Sequence, residues 1–455
     1  MSTALDSPLN VPPGRNQPKA AHNIAWLIAE RGLKAVGGVS MGILIARHLG
    51  PEHYGSYGAA IGLATLAKEG VMLGFDRMIR RDLASRPGDA GKIIGSSVSL
   101  GLALAFAVAL GLSALAGQLA PDEETRQLTL IVVWMALPQA FFSCEIWFES
   151  VGQARPLVWT RNAVWILSLV SRVALVLCNA RVTTFAIMAL AEWAITYGAV
   201  VWLLRRLHGH EFAYRPERTQ IRAWFREGWP AVLMVILGST ADRIMVMAVK
   251  SLAPNIAEAG YLNAALRITE IWWSISVIVA AVLLPRIVSQ QKTNPVRAEQ
   301  AIQLYANASL LVGFIAATAV TLTAPFAVPL LFGPAYAPSA LVMVILFWSG
   351  PVVFSAIARS QFWVTRGKLI LDLPSVSAIT LLQLTLTYLL VPRYGAIGAA
   401  IAMTAAQWFG FYGIALIVPA LRRASRAQFH AFLALISPAA TIRFLHTFVS
   451  GMLTK

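Results

Sequence analysis

Apolar residues run along this chain in blocks of about twenty, punctuated by short stretches of charged and turn-forming residues. A hydrocarbon core of ~30 Å takes about 20 residues of helix to cross, so each block is long enough to span a bilayer. Twelve blocks can be marked. The first half holds 24–46, 54–80, 92–116, 128–149, 159–178 and 183–204, and the second 230–250, 261–286, 301–323, 339–358, 369–391 and 396–420. The pattern predicts an all-α polytopic membrane protein of about twelve transmembrane helices in two six-helix lobes related by a parallel repeat. Residues 1–23, with four prolines among polar residues, read as a disordered cytoplasmic tail. Residues 24–204 form the N-lobe, 205–228 a basic cytoplasmic linker, 229–420 the C-lobe, and 421–455 a basic turn followed by an amphipathic segment. The uninterrupted apolar run after 429 is short for a crossing, so an interfacial helix is favoured over a thirteenth span.

One hairpin departs from the apolar pattern. In span 7 (230–250), Ser239, Asp242 and Arg243 sit well inside the run; in span 8, Asn263, Arg267, Glu270 and Ser274 recur at spacings of four, three and four, on one stripe of a helix. At ~1.5 Å per residue, Arg243 lies about 10 Å in from Lys250 and Arg267 about 9 Å in from Tyr261, so the two charged levels coincide. A charge at that depth costs roughly 2.5–3.5 kcal/mol on insertion scales, which turns it toward a bundle interior or a wet cavity and marks a transport pathway. The first half has inward charge of its own: Glu30, Arg31 and Lys34 in span 1, and Thr65, Lys68, Glu69, Asp76 and Arg77 in span 2. Glu30 and Lys34, four apart, can pair along the helix. Arg172 and Glu192 lie in spans 5 and 6, Glu145 near the end of span 4.

Composition agrees with this picture. Of 455 residues, 57% are hydrophobic and only 13% charged. A net charge of +16 invites a nucleic-acid reading, but its distribution excludes one: 23 Lys/Arg fall in one alternate set of inter-span segments and 5 in the other. That asymmetry places the N-terminus, the 205–226 stretch and the end of span 12 in the cytoplasm. Cys144 and Cys178 read as small hydrophobes, and no metal site or cofactor is expected. The sequence contains no GxxxxGK[ST] phosphate loop, so nucleotide hydrolysis is not expected. Gly38/Gly42, Gly58/Gly62 and Gly70/Gly74 are small-xxx-small pairs that predict close helix packing. The halves echo one another: Arg47-His48-Leu49-Gly50-Pro51 recurs as Lys250-Ser251-Leu252-Ala253-Pro254, Tyr57 and Ala60 as Tyr261 and Ala264, and Trp134 and Pro138 more loosely as Trp348 and Pro351.

The stretch Ile45-Ala46-Arg47-His48-Leu49-Gly50-Pro51-Glu52-His53-Tyr54-Gly55 resembles a signature of bacterial polysaccharide and O-antigen flippases, in the multidrug/oligosaccharidyl-lipid/polysaccharide exporter superfamily. Asp242-Arg243, Ala259-Gly260-Tyr261 leading to Ala265-Leu266-Arg267, Leu284-Pro285-Arg286, Leu331-Phe332-Gly333-Pro334-Ala335-Tyr336 and the run from Val391 to Ala400 extend the resemblance over about 24–420. It implies a non-enzymatic carrier that moves a polyprenyl-diphosphate-linked oligosaccharide from the inner to the outer leaflet by alternating access, among membrane lipids and with a polysaccharide polymerase as a candidate partner. A diphosphate crossing a low-dielectric interior needs cations in place of water, and arginine binds two of its oxygens at once. Candidates for the headgroup are Arg31, Lys34, Lys68, Arg243 and Arg267. The first three would receive it from inside, while Asp242, Arg243, Arg267 and Glu270 would form an outer gate of ion pairs that break as the lobes rock. Asp242/Arg267 and Arg243/Glu270 could equally be fixed structural pairs. Glu30, Glu69, Asp242 and Glu270, with Glu145 and Glu192, are candidates for ion coupling. A multidrug antiporter would call for a net acidic cavity, whereas spans 1 and 2 are slightly basic. A membrane polymerase or ligase would need larger outer loops than the roughly ten residues this pattern leaves.

Overall fold

The structure, a computed structural model, describes residues 17–436 apart from 73, 210–215, 294 and 366–368, with side chains described from Lys34 onward outside 35, 229–235, 239, 277–298, 360–370 and a few isolated positions. Every element among the described residues is helical. Eight helical segments are long and apolar enough to cross a membrane. Two of them, Val36–Ser85 and Leu373–Ile417, hold two crossings each, and Arg218–Leu252 and Glu258–Thr293 add the charged hairpin, which gives the twelve expected spans.

The first reversal lies inside Gln17–Met72, at Gly50 (φ 71°, ψ 170°), followed by Pro51. A straight helix would part Lys34 and Lys68 by about 51 Å, yet both line one cavity, so the limbs before and after Gly50 run back alongside each other. Positive φ suits glycine, and Pro51 has no amide hydrogen to lose at a helix start. Leu373–Trp408 reverses the same way at Gly395 (φ 52°), where the carboxylate of Glu258 accepts from the Ala396 amide at 2.8 Å. The repeat shows in the breaks as well as the sequence. Span 4 is interrupted by a 3-10 turn at Val133–Met135, which contains Trp134, and span 10 between Phe347 and Gly350, beside Trp348.

Four expectations are corrected here. The 205–228 stretch is mostly not a loop: Val182–His208 continues span 6 and Arg218–Leu252 starts span 7 twelve residues early. That extra helix holds because Trp224 is fully buried against the N-lobe, its indole N–H donating to the buried Asp82 at 2.9 Å, with Gln220 donating to the same carboxylate at 2.8 Å. Span 2 stops at Met72 and a separate helix begins at Asp76, past Gly74 at φ 74°, so Asp76 does not continue the Glu69 stripe. The basic residues after 421 lie on a helix, Pro419–Ile436, rather than a turn, with Gln428 donating to Ser355 at 3.3 Å; residues 437–455, and with them most of the thirteenth-span question, fall outside the described residues. Arg359, read as an inter-span cation, is fully buried and paired with Asp372 at 2.6 Å, the carboxylate that a buried guanidinium requires. Cys144 is buried and Cys178 exposed.

The lobes meet along spans 1, 2, 7 and 8, where the Gly38/Gly42 and Gly58/Gly62 pairs do their packing, whereas Gly70 faces Val108 of span 3 and Gly74 lies in the turn that ends span 2. A Cβ on Gly260 would fall 1.9 Å from the Pro51 carbonyl oxygen, one on Gly58 2.2 Å from Asn263, and one on Gly62 2.4 Å from the Arg243 carbonyl. Outward, spans 5, 9 and 11 present exposed Leu, Ile and Phe side chains, as a lipid-facing belt requires.

Candidate functional site

Spans 1, 2, 5 and 6, with span 8 closing one side, enclose a cavity of about 360 Å³ in the N-lobe. Among the described residues its charged lining is Lys34, Lys68, Arg172 and Arg267 against Glu192, four cations to one carboxylate. Counted along their helices from the Gly50 end, Arg172 and Arg267 lie about 8–14 Å in and Lys34 and Lys68 about 23–26 Å in. The cations form a staggered track rather than one cluster. Three of them are visibly anchored. Lys68 Nζ sits 3.7 Å from the centre of the Trp193 ring, Arg172 pairs with Glu192 at 2.6 Å, and Arg267 donates to the Gly38 carbonyl across the lobe boundary at 3.3 Å. Arg172 keeps its buried Nε without a partner among the described residues. Each of these anchors leaves further donors that a multiply charged anion can use.

A second cavity, about 350 Å³, lies in the C-lobe between spans 7, 8, 10 and 12. Here Asp242 and Glu270 face Arg243, two carboxylates to one cation, beside Trp273, whose buried indole N–H has no partner among the described residues. Arg243 divides its guanidinium between Glu69 on span 2 and Glu270 on span 8, 3.2 Å to each, and so ties the lobes together. Glu69 retains one buried oxygen without a partner among the described residues.

These contacts revise the expected gate. Arg243/Glu270 is made, but Asp242/Arg267 is not: Arg267 reaches away to span 1, and Asp242 accepts instead from Gln383 of span 11 at 3.0 Å. The side chains of Glu30 and Arg31 lie outside the described residues, so their expected pairing and headgroup role are not placed. Sequence reading missed two things. Arg172 was a charge in span 5, but only the fold turns it into the N-lobe cavity. The seam at the Gly50 end has its own bolt: buried Lys250 pairs with Asp122 at 3.4 Å, Ser251 donates to the Leu119 carbonyl at 3.3 Å, Asn263 to the Tyr54 carbonyl at 3.2 Å and Tyr336 to the Ala46 carbonyl at 2.8 Å. Burial alone would raise the Asp122 carboxyl, but hydrogen bonding from Thr125 and the Lys250 ammonium bring it below its ordinary value. The recurrence of Arg47 as Lys250 was the available signal for this bolt; its partner lies over a hundred residues away.

The profile of the polysaccharide biosynthesis protein family matches residues 20–291, more than half of the chain. The chain belongs to that family. No curated protein matches it in sequence. Among solved structures, this member of the polysaccharide biosynthesis family is similar to the lipid II flippase MurJ in an inward closed conformation, 12% identical, with a TM-score of 0.70 over 94% of this chain and 96% of that one. It is also similar to an inward-facing multidrug resistance MATE family transporter of the MOP superfamily (17% identity, TM-score 0.69, 89% and 99% covered) and to the MATE multidrug transporter DinF-BH (18%, 0.63, 91% and 97%). At these identities the likeness shows a shared two-lobe transporter fold in a multi-pass membrane protein.

Proposed function

We propose that this protein moves a polyprenyl-diphosphate-linked oligosaccharide from the inner to the outer leaflet of the bacterial inner membrane, for export of a surface or extracellular polysaccharide. The observation that carries this reading is the N-lobe cavity, whose described residues bring four cations to one carboxylate. With the N-terminus in the cytoplasm, the bolted seam faces outward and the cavity opens inward. The headgroup enters at Lys34 and Lys68 and advances to Arg172 and Arg267 as the lobes rock, which breaks Arg243–Glu69, Arg267–Gly38 and Lys250–Asp122. An interior-negative potential adds ~2.3 kcal/mol per charge per 100 mV in the direction that drives an anion outward. A polymerase on the outer face would consume the product.

A second reading has its own observation: Asp242, Glu270 and Trp273 in the C-lobe cavity suit an organic cation, as in a multidrug antiporter. Reconstituted proteoliposomes separate the two. Wild-type protein is expected to flip a fluorescent polyprenyl-diphosphate oligosaccharide and leave a cationic dye untransported. Dye efflux without lipid movement would overturn the flippase reading.

A further inference from the structure

The N-lobe cavity does not end at its cations. A smaller chamber of about 230 Å³ continues from it, sharing Lys34, Trp165, Glu192 and Trp193 as a common wall. Its remaining lining is Glu145, Arg161, Thr196 and Tyr197. By helix rise, Tyr197 lies about 22 Å and Arg161 roughly 24 Å from the Gly50 end of their helices, so the chamber sits on the mouth side of the cation track. Its chemistry differs from the track's: among the described residues Lys34 and Arg161 balance Glu145 and Glu192. Arg161 and Glu145 pair at 3.3 Å across it.

From this chamber we infer a subsite for one neutral sugar ring, the residue joined directly to the diphosphate. This rests on the flippase reading and adds to it which sugar chemistry the chain admits. Three observations converge. The chamber is too small for an oligosaccharide, smaller than the ~300 Å³ at which ordinary ligand pockets begin, and it opens where a group attached to a diphosphate on Lys34 and Lys68 must lie. Two indoles stand in its wall in fixed poses: Trp165 is seated on span 1, where a Cβ on Gly37 would fall 2.4 Å from its ring, and Trp193 is held between Lys68 at 3.7 Å and Tyr197 at 5.8 Å. An indole face accepts the C–H face of a pyranose, while the Glu145–Arg161 pair offers an acceptor and a donor to its hydroxyls. Among its described residues the chamber has no excess positive charge to repay the desolvation of a uronic acid carboxylate.

The test uses purified protein in lipid nanodiscs and three probes: farnesyl diphosphate, and farnesyl diphosphate carrying glucose or glucuronic acid on its terminal phosphate. The glucose probe is expected to bind about tenfold tighter than the bare diphosphate, the size of one good stacking contact, and the glucuronic acid probe no tighter than the bare diphosphate. Trp165→Leu should erase the glucose increment, read as the ratio of glucose-probe to bare-diphosphate affinity within the variant, and an unchanged circular dichroism spectrum certifies that the variant is folded. Trp165→Phe should keep most of the increment. The sugar subsite is overturned if wild-type protein shows no glucose increment, if the increment survives Trp165→Leu, or if glucuronic acid gains as much as glucose. If instead farnesyl diphosphate itself does not bind, the flippase reading is what fails.

Discussion

The two lobes enclose cavities of nearly equal size, about 360 and 350 Å³, and opposite sign. Among the described residues the N-lobe offers four cations to one carboxylate, the C-lobe two carboxylates to one cation, and that cation is turned toward the seam. Duplication preserved the crossings, the reversals at Gly50 and Gly395 and the breaks in spans 4 and 10, but not the charge. On the proposed function the N-lobe lining holds an anion, while in the C-lobe Glu270, with Glu69 of the N-lobe, holds the arginine that ties the lobes together and Asp242 is bonded to Gln383. Matching architecture therefore says little about cargo, and the lining of each half has to be read separately.

The sharpest way to break this contrast is to reverse the sign of the N-lobe. Lys68→Glu with Arg267→Gln, at matched protein levels, is expected to cut glycan export by about 100-fold, since two charge-assisted contacts to the headgroup are lost. Export within twofold of wild type would show that the N-lobe charge is structural. Next in size is the tie between lobes. Arg243→Gln leaves Glu69 and Glu270 facing each other without their shared cation, and because the site is about a third exposed, a shift of ~1 kcal/mol toward separated lobes is expected. Distances between spin labels on the two lobes would report it; an unchanged distribution would mean the seam holds without Arg243. The smallest effect concerns pH. Asp122 is held below its ordinary 3.8, so the stability that its bond to Lys250 adds is fully present above that pH and is lost as the pH falls through the lower value of the closed state. Labelling of an Ala253→Cys variant should therefore rise only below about pH 3.8, and Lys250→Met should flatten the profile. A transition near pH 6 would assign the seam's acid sensitivity to another group.

The charged hairpin was legible in the sequence because depth along two antiparallel helices follows from counting residues, and the Arg243–Glu270 contact matches that count. The glycine pairs of spans 1 and 2 were legible as packing faces for the same reason. What periodicity could not supply was the partner across the lobe boundary. Arg267 finds a carbonyl of span 1 rather than Asp242, because the close approach allowed by Gly38 and Gly42 brings that backbone within its reach. Arg359 counted as a loop charge since its carboxylate, Asp372, lies beyond a stretch that reads as solvent-facing. The helix at 218–228 was hidden by its basic residues; one buried indole bonded to Asp82 decides its structure, and nothing local predicts that contact.

The seam where Gly55 and Gly58 meet Gly260 and Asn263 places main chain against main chain, with hardly a hydrocarbon side chain between. Around that joint Met41, Ile45, Tyr54 and Leu63 of the N-lobe share one apolar core with Met245, Leu262 and Leu266 of the C-lobe, so parting the lobes would wet that core as well as break the polar tethers. A single methyl group added at Gly260, where a Cβ would fall 1.9 Å from the Pro51 carbonyl oxygen, would wedge the glycine joint at its centre permanently ajar.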